Sequence, residues 1–186
     1  MLILTAAILS IESVNLQGAI ANDRIGLDGA TVKACFTPGA DCASAVAAAI
    51  AEANDRVWLL GYGFSEPRIL SALMEAGRRG IDVRLVLDRS NDSHRYSGAT
   101  YMAKIGIPIF IDRSVRIAHN KLILIDKDTV VMGSLNWTQA GNTKNAENVH
   151  IFRGAKELAE VHAAYFRQRQ AVSEPYHLNA GGPKSR

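Results

Sequence analysis

Hydrophobic and polar positions alternate along this chain in blocks whose lengths suit short strands and helices. Residues 31–36 read as a strand, and Asp41 stands where it can cap an alanine-rich helix over 42–54. Val57-Trp58-Leu59-Leu60 is an unbroken apolar run, as expected of a strand covered on both faces. Ser65 is placed to cap a second helix with Pro67 in its first turn. Ile69, Leu70, Leu73 and Met74 form one face of that helix, and Gly80 ends it. Ile81 to Leu87 is the next strand. This order predicts an α/β fold with a mixed, largely parallel sheet flanked by helices on both faces.

A polar loop follows over 88–98, then a short helix near 99–104 and a strand near 107–111. Lys121 to Ile125 and Thr129 to Met132 read as a hairpin joined by Asp126-Lys127-Asp128. Residues 137–146 are polar, a loop with one helical turn. Val149 to Phe152 is the last strand, and a helix over 155–170 turns Leu158, Val161 and Tyr165 inward. Pro175, Gly181, Gly182 and Pro183 predict a loose tail from Ser173. The domain therefore spans 22–172, between a leader over 1–21 and a flexible tail over 173–186.

The leader changes the picture of where the protein works. Met1 to Ile11 is apolar except for Thr5 and Ser10, too short to span a bilayer. It resembles the core of a secretory signal, with Ala19-Ile20-Ala21 as a small-x-small cleavage site. Against export, no Lys or Arg precedes the run and Glu12 interrupts it. Cys35 and Cys42 flank the Pro38-Gly39 turn, so they can meet and would pair in an oxidising compartment. Such a bridge stabilises by about 2–3 kcal/mol at most. Together these features favour a periplasmic or secreted protein, with a cytoplasmic one holding two reduced thiols as the alternative. Two cysteines without a nearby histidine make no zinc site, and no metal or cofactor is expected. The formal charge of +3 helps a polyanion approach without proving that one binds.

The chemistry concentrates between His119 and Asn148. His119 and Lys121 are two apart, which on a strand puts both on one face. Ser134 and Asn136 repeat that spacing after the partner strand, and Gly133 lets backbone come close to a ligand. A phosphodiester needs a nucleophile, charge stabilisation on its non-bridging oxygens and an acid for the leaving oxygen. A neutral histidine can attack and form a covalent intermediate. Lys121 and Asn136 can hold phosphoryl oxygens in place of metal ions. Glu147 can orient the imidazole. One chain offers one such histidine, so a matching acid must come from elsewhere, and a two-fold dimer would supply it.

His119-x-Lys121-x4-Asp126-x6-Gly133-Ser134-x-Asn136 resembles the signature of the phospholipase D superfamily. The single copy and small size resemble its bacterial nuclease branch. The Cys35-Phe-Thr-Pro-Gly opening, the Gly61-Tyr-Gly-Phe-Ser65 stretch and the Thr143-Lys-Asn-Ala-Glu147-Asn segment resemble that branch as well. The resemblance covers 31–170. It implies a phospholipase D/nuclease-like sandwich and a homodimer whose site forms between two motif copies. His119 would be nucleophile in one subunit and general acid in the other. Lys121 and Asn136 would bind phosphate with Ser134 assisting, Glu147 would support the histidine, and Asp126 would be a supporting or structural residue. The family's nucleases act on DNA or RNA without a metal. One departure is Gly61-Tyr62-Gly63-Phe64, where the family usually has an Ala-Tyr-Ser-Phe-like segment, and it bears on substrate preference.

Around the motif, Arg113, Arg116 and Lys144 could line a groove for a strand of nucleic acid, and the loop residues Arg89, His94 and Arg95 form either a phosphate-contacting rim or a solvated loop. Trp137 could stack on a base or pack in the core. Tyr62 and Phe64 read as core, His150 as structural, and His162 and His177 as surface groups. The expected activity is a metal-independent, non-specific endonuclease working through a phosphohistidine. Cleavage of phospholipid headgroups is the alternative, disfavoured by the lack of an amphipathic membrane helix. A non-catalytic nucleic-acid-binding subunit is the third reading.

Overall fold

The computed structural model describes residues 24–92 and 98–178. The leader, the end of the tail and the loop residues His94 and Arg95 lie outside the described residues. Eight strands form one sheet: β1 (Thr31–Thr37), β2 (Arg56–Gly61), β3 (Asp82–Asp88), β4 (Ile109–Asp112), β5 (Lys121–Ile125), β6 (Thr129–Gly133), β7 (Glu147–Arg153) and β8 (Glu174–Pro175). Among the described residues five α-helices accompany them: α1 (Cys42–Ala51), α2 (Pro67–Arg78), α3 (Gly98–Lys104), α4 (Gln139–Thr143) and α5 (Lys156–Ala171). The strand order is β1-β7-β6-β5-β2-β3-β4-β8.

The sheet is mixed, as the alternation predicts, but its parallel part is smaller than expected. Only β2 with β3 and β3 with β4 pair in parallel; the other neighbours are antiparallel. The reason lies in the connections. Parallel neighbours need a crossover of a dozen or so residues, and α2 and the α3 segment supply one each. The Asp126–Asp128 turn is too short for anything but a hairpin. β1 does run in the same direction as β2, yet α1 carries the chain from the sheet edge past β7, β6 and β5 before β2 begins.

Strand alternation feeds two cores. Val57, Leu59, Leu85, Leu87, Ile123 and Val131 pack under Val46 and Ile50 of α1, Ile69 and Leu73 of α2 and Met102 of α3. The opposite face sends Trp58, Leu60, Val86, Leu122, Leu124 and Val130 against Leu158, Ala159, Ala163 and Phe166 of α5. Trp58 stacks on Phe166 with ring centroids 4.9 Å apart. Burying a side chain of that size contributes about 1.5–3 kcal/mol. Val161 is only half-buried, because the inward stripe of α5 runs through its smaller alanines.

Three local expectations need correction. Glu66, not Ser65, caps α2: its carboxylate accepts from Arg68 N–H at 3.4 Å, while the N–H groups of Ser65 and Glu66 both donate to the Trp137 carbonyl. The first helix stops at Ala51 because Asp126 draws the N–H groups of Asn54, Asp55 and Arg56 away from it. The tail is not loose at its start. Glu174–Pro175 pairs with β4, and Tyr176 N–H donates to the Ile109 carbonyl at 2.8 Å. Cys35 and Cys42 are disulfide-bonded and tie β1 to the first residue of α1.

Candidate active site

Because β2, β3 and β4 are parallel, their carboxyl ends lie at one edge of the sheet, where α/β proteins bind ligands. The start of β5, the end of β6 and the start of β7 reach the same edge, as Gly61 pairs with Lys121 and Gly133 with Val149. His119 stands just before β5 and is exposed; Lys121 opens the strand and is half-buried. Both meet Tyr62, which follows β2. The His119 ring lies edge-on to the Tyr62 ring at 4.7 Å, and Lys121 Nζ lies 5.5 Å from the same ring centroid. Lys121 Nζ also donates to the His119 carbonyl at 3.2 Å. Burial lowers the Lys121 pKa, and the opposing charge of Glu147 recovers part of that loss.

Ser134 and Glu147 meet where β6 ends and β7 begins. Ser134 Oγ donates to Glu147 Oε2 at 2.6 Å and accepts from Asn148 N–H at 3.0 Å. The Asn145 amide donates to Glu147 Oε1 at 3.0 Å. Both oxygens of Glu147 thus serve Ser134 and Asn145. The expected bond from Glu147 to His119 within one chain is not formed; Glu147 opens β7 beside the end of β6, and its carboxylate meets the serine instead. Gly133 also has a different role from the expected one. A Cβ there would lie 2.1 Å from the Asn148 carbonyl oxygen, so the glycine admits this chain's own backbone rather than a ligand.

Asn136 lies beside the Tyr62 segment: a side chain on Gly63 would sit 3.4 Å from its Cβ and collide with Thr138. Its Oδ1 is buried and has no hydrogen-bond partner among the described residues. A buried orphan of this kind costs about 1–3 kcal/mol and marks a group not used by the fold. His119, Lys121, Ser134, Asn136 and Glu147 therefore share one edge, linked through Tyr62 and the Lys121–Glu147 attraction.

Several expected participants lie elsewhere. Asp126 is at the far end of β5, about 23 Å of extended chain from His119 at roughly 3.3 Å per residue. It sits at φ +53° and accepts from Asn54, Asp55 and Arg56 N–H. Burial alone would raise its pKa, but those donors outweigh it and hold it below the ordinary carboxylate value. Its role is structural and not one of support beside the site. Trp137 is fully buried and donates Nε1–H to the Leu60 carbonyl at 3.1 Å, so it packs under the site and cannot stack on a base. Arg113 is paired with Asp92 and Glu174. Phe64 is core, as expected, whereas Tyr62 is half-buried against the imidazole. His150 contacts the rings of Phe36 and Phe152, and His162 is half-buried with its pKa lowered by burial. Arg116, Lys144 and His177 are exposed.

Two participants escaped the sequence reading. Tyr62 follows an apolar strand and looks like its continuation. Asp88 ends β3 in a polar loop where nothing local marks it. Its side chain is 3% exposed and accepts from Ser90 N–H at 2.9 Å and Ala118 N–H at 2.7 Å. Burial pushes its pKa up, but these bonds prevail and it stays below the ordinary value.

The sequence model of the family described as "Cardiolipin synthase, PLD-like domain" matches residues 46–170. This chain belongs to the phospholipase D superfamily. A "Phospholipase D" of Rickettsia conorii is 41% identical over 140 residues, covering 75% of this chain and 70% of that one. A "Mitochondrial cardiolipin hydrolase" of Mus musculus is 31% identical over 103 residues, 55% of this chain and 47% of that one. Nuc from Salmonella typhimurium, a phospholipase D family member, superposes with a TM-score of 0.76 at 32% identity, covering 80% of this chain and 99% of that chain. NucT from Helicobacter pylori shares the fold with a TM-score of 0.72 at 19% identity. The eight-stranded sheet and its helices are thus those of the superfamily's small-nuclease branch, a phosphodiesterase fold.

Proposed function

We propose that the protein is a metal-independent phosphodiesterase, a non-specific endonuclease of DNA, RNA or both. The observation that carries this is the meeting of His119 and Lys121 over Tyr62 at the sheet edge, with the Asn136 side chain against the neighbouring Gly63. In this mechanism a neutral His119 attacks phosphorus, and the P–O bond to the leaving alcohol breaks. The non-bridging oxygens rest on the Lys121 ammonium and the Asn136 amide, whose fixed charge and dipole stabilise the transition state. Ser134, held by Glu147, adds a hydroxyl at the same edge. An imidazolium protonates the leaving oxygen, and water then opens the phosphohistidine.

One chain carries one such imidazole, so the acid is His119 of a second copy and the working unit is a homodimer. Likeness to Nuc over almost all of that protein's chain supports the small-nuclease reading, and with it nucleic acid as substrate. The Cys35–Cys42 disulfide and the apolar leader support a periplasmic or secreted site of action. A phospholipid headgroup is the second reading, favoured by the Rickettsia conorii relative called "Phospholipase D".

The test is incubation of the purified protein with single- and double-stranded DNA, RNA and phosphatidylcholine vesicles, all in EDTA. Nucleic-acid cleavage that His119→Ala abolishes is expected. Headgroup release without nucleic-acid cleavage would favour the lipid reading. Salt-sensitive nucleic-acid binding with no turnover would favour a binding subunit, and activity only after adding magnesium would contradict the mechanism.

A further inference from the structure

His119 precedes β5, so no sheet ladder holds its backbone. The segment leading to it, residues 113–118, is fixed by side chains. Near its start, Asp112 Oδ1 accepts from Ser114 N–H at 3.0 Å, and Asp112 Oδ2 pairs with Arg169 of α5. At the other end, Asp88 Oδ2 takes the N–H of Ala118, the residue next to His119. Asn91 is 7% exposed, and its amide donates to the Tyr62 carbonyl at 2.7 Å and the Asp88 carbonyl at 3.1 Å. Tyr62 N–H in turn donates to the Asn120 carbonyl at 3.2 Å, and the Tyr62 ring meets the imidazole. The bonds close a ring through Asp88, Ala118, His119, Asn120, Tyr62 and Asn91.

The geometry points to Asp88 and Asn91 as positioning residues that set the place and tilt of the His119 imidazole. Neither touches the reacting phosphate. Asp88 acts on the peptide just before the histidine through a charge-assisted bond, which is stronger than a neutral one. Asn91 couples the end of β3 to the aromatic ring against which the imidazole rests. An attacking nitrogen must stay within a fraction of an ångström of its line to phosphorus, and a displacement of about 1 Å lowers rate by roughly 100-fold. This inference rests on the reading of His119 as nucleophile.

The experiment uses the full chain and a small chromogenic phosphodiester, bis(p-nitrophenyl) phosphate, which removes polymer binding from the readout. Asp88→Asn keeps one acceptor oxygen and should lower kcat about tenfold; Asp88→Ala should lower it about 100-fold, with KM changed less than about twofold. Asn91→Ala and the near-isosteric Asn91→Asp, which cannot donate, should both lower kcat about tenfold. The NMR signal of the His119 Cε1–H, identified by its loss in His119→Ala, should shift in each variant. Asp126→Asn, which loosens a similar clamp at the far end of the sheet, should lower Tm and leave kcat and that signal alone.

Folded Asn91→Asp and Asp88→Asn proteins with kcat within about twofold of the parent and an unmoved His119 signal would overturn the proposal. So would a rise in KM at constant kcat. If the Asp88 variants do not fold, the Asn91 pair decides. Undiminished hydrolysis by His119→Ala strikes the nucleophile reading instead, and the NMR shift still reports whether the brace holds the ring.

Discussion

Two aspartates clamp opposite ends of the same sheet by similar chemistry and to different ends. Asp88 and Asp126 each accept backbone N–H groups from a separate segment, and each has its pKa held below the ordinary value. Asp126 joins the hairpin turn to the turn before β2, at the end of β5 away from His119. Asp88 joins the end of β3 to the peptide before His119, which stands against Tyr62 and Lys121. Where the parallel strands end decides which clamp bears on chemistry. Spacing in the sequence suggests the reverse, because Asp126 lies within the motif and Asp88 does not.

The comparison can be broken most forcefully at the site end. His119→Ala should lower phosphodiester turnover about 10⁴-fold or more with an unchanged circular dichroism spectrum, since the proposed mechanism makes this imidazole the nucleophile. Comparable turnover would mean that the edge is not the active site. Lys121→Ala and Asn136→Ala should each lower kcat about 10²–10³-fold, the usual effect of removing one donor that faces developing charge. Steady-state kinetics on a plasmid and on a small phosphodiester would check both.

At the far end the signature should be stability without catalysis. Asp126→Ala removes the acceptor for three N–H groups and puts alanine at a positive φ, so about 1–3 kcal/mol should be lost in urea unfolding at pH 7, with kcat unchanged. The sign with pH follows from the lowered pKa. The stabilisation by Asp126 is present above its unfolded value of about 3.9 and is lost as pH falls through the folded value, so parent and variant should converge in acid. A gap that widens in acid would refute this account of the clamp.

The smallest expected effect concerns Lys121. In the proposed mechanism it holds phosphate as an ammonium; burial lowers its pKa, and Glu147 opposes that. Glu147→Gln removes the opposing charge while its amide oxygen can still accept from Ser134. The Lys121 pKa should then fall further, which an NMR titration of its side chain would read as a midpoint moved to lower pH by about one unit or less. A midpoint that stays or moves to higher pH would show that Glu147 does not support the ammonium.

Much of this was legible in the sequence where local physics acts alone. The unbroken apolar run at β2, the stripe of α2 and the hairpin of β5 and β6 all follow from periodicity. The motif brought His119, Lys121, Ser134, Asn136 and Glu147 to one edge by spacing. Pairing choice was not legible: nothing in Thr31–Thr37 says that it joins β7 at the edge rather than β2 at the centre. Trp137 was ambiguous because burial depends on the Leu60 carbonyl, which waits for its Nε1–H across 77 positions of sequence. Asp88 and Asn91 were hidden for the same reason, since their partners, Ala118 and Tyr62, are distant in sequence.

The central claim is that the imidazole of His119 bonds covalently to phosphorus. Rapid quenching of turnover on a substrate labelled with ³²P, followed by peptide mapping, tests it most directly. Label that survives alkali, is released by acid and maps to the peptide containing His119 is the predicted result. Steady turnover with no protein-bound label at any quench time, or label on a residue other than His119, would contradict it.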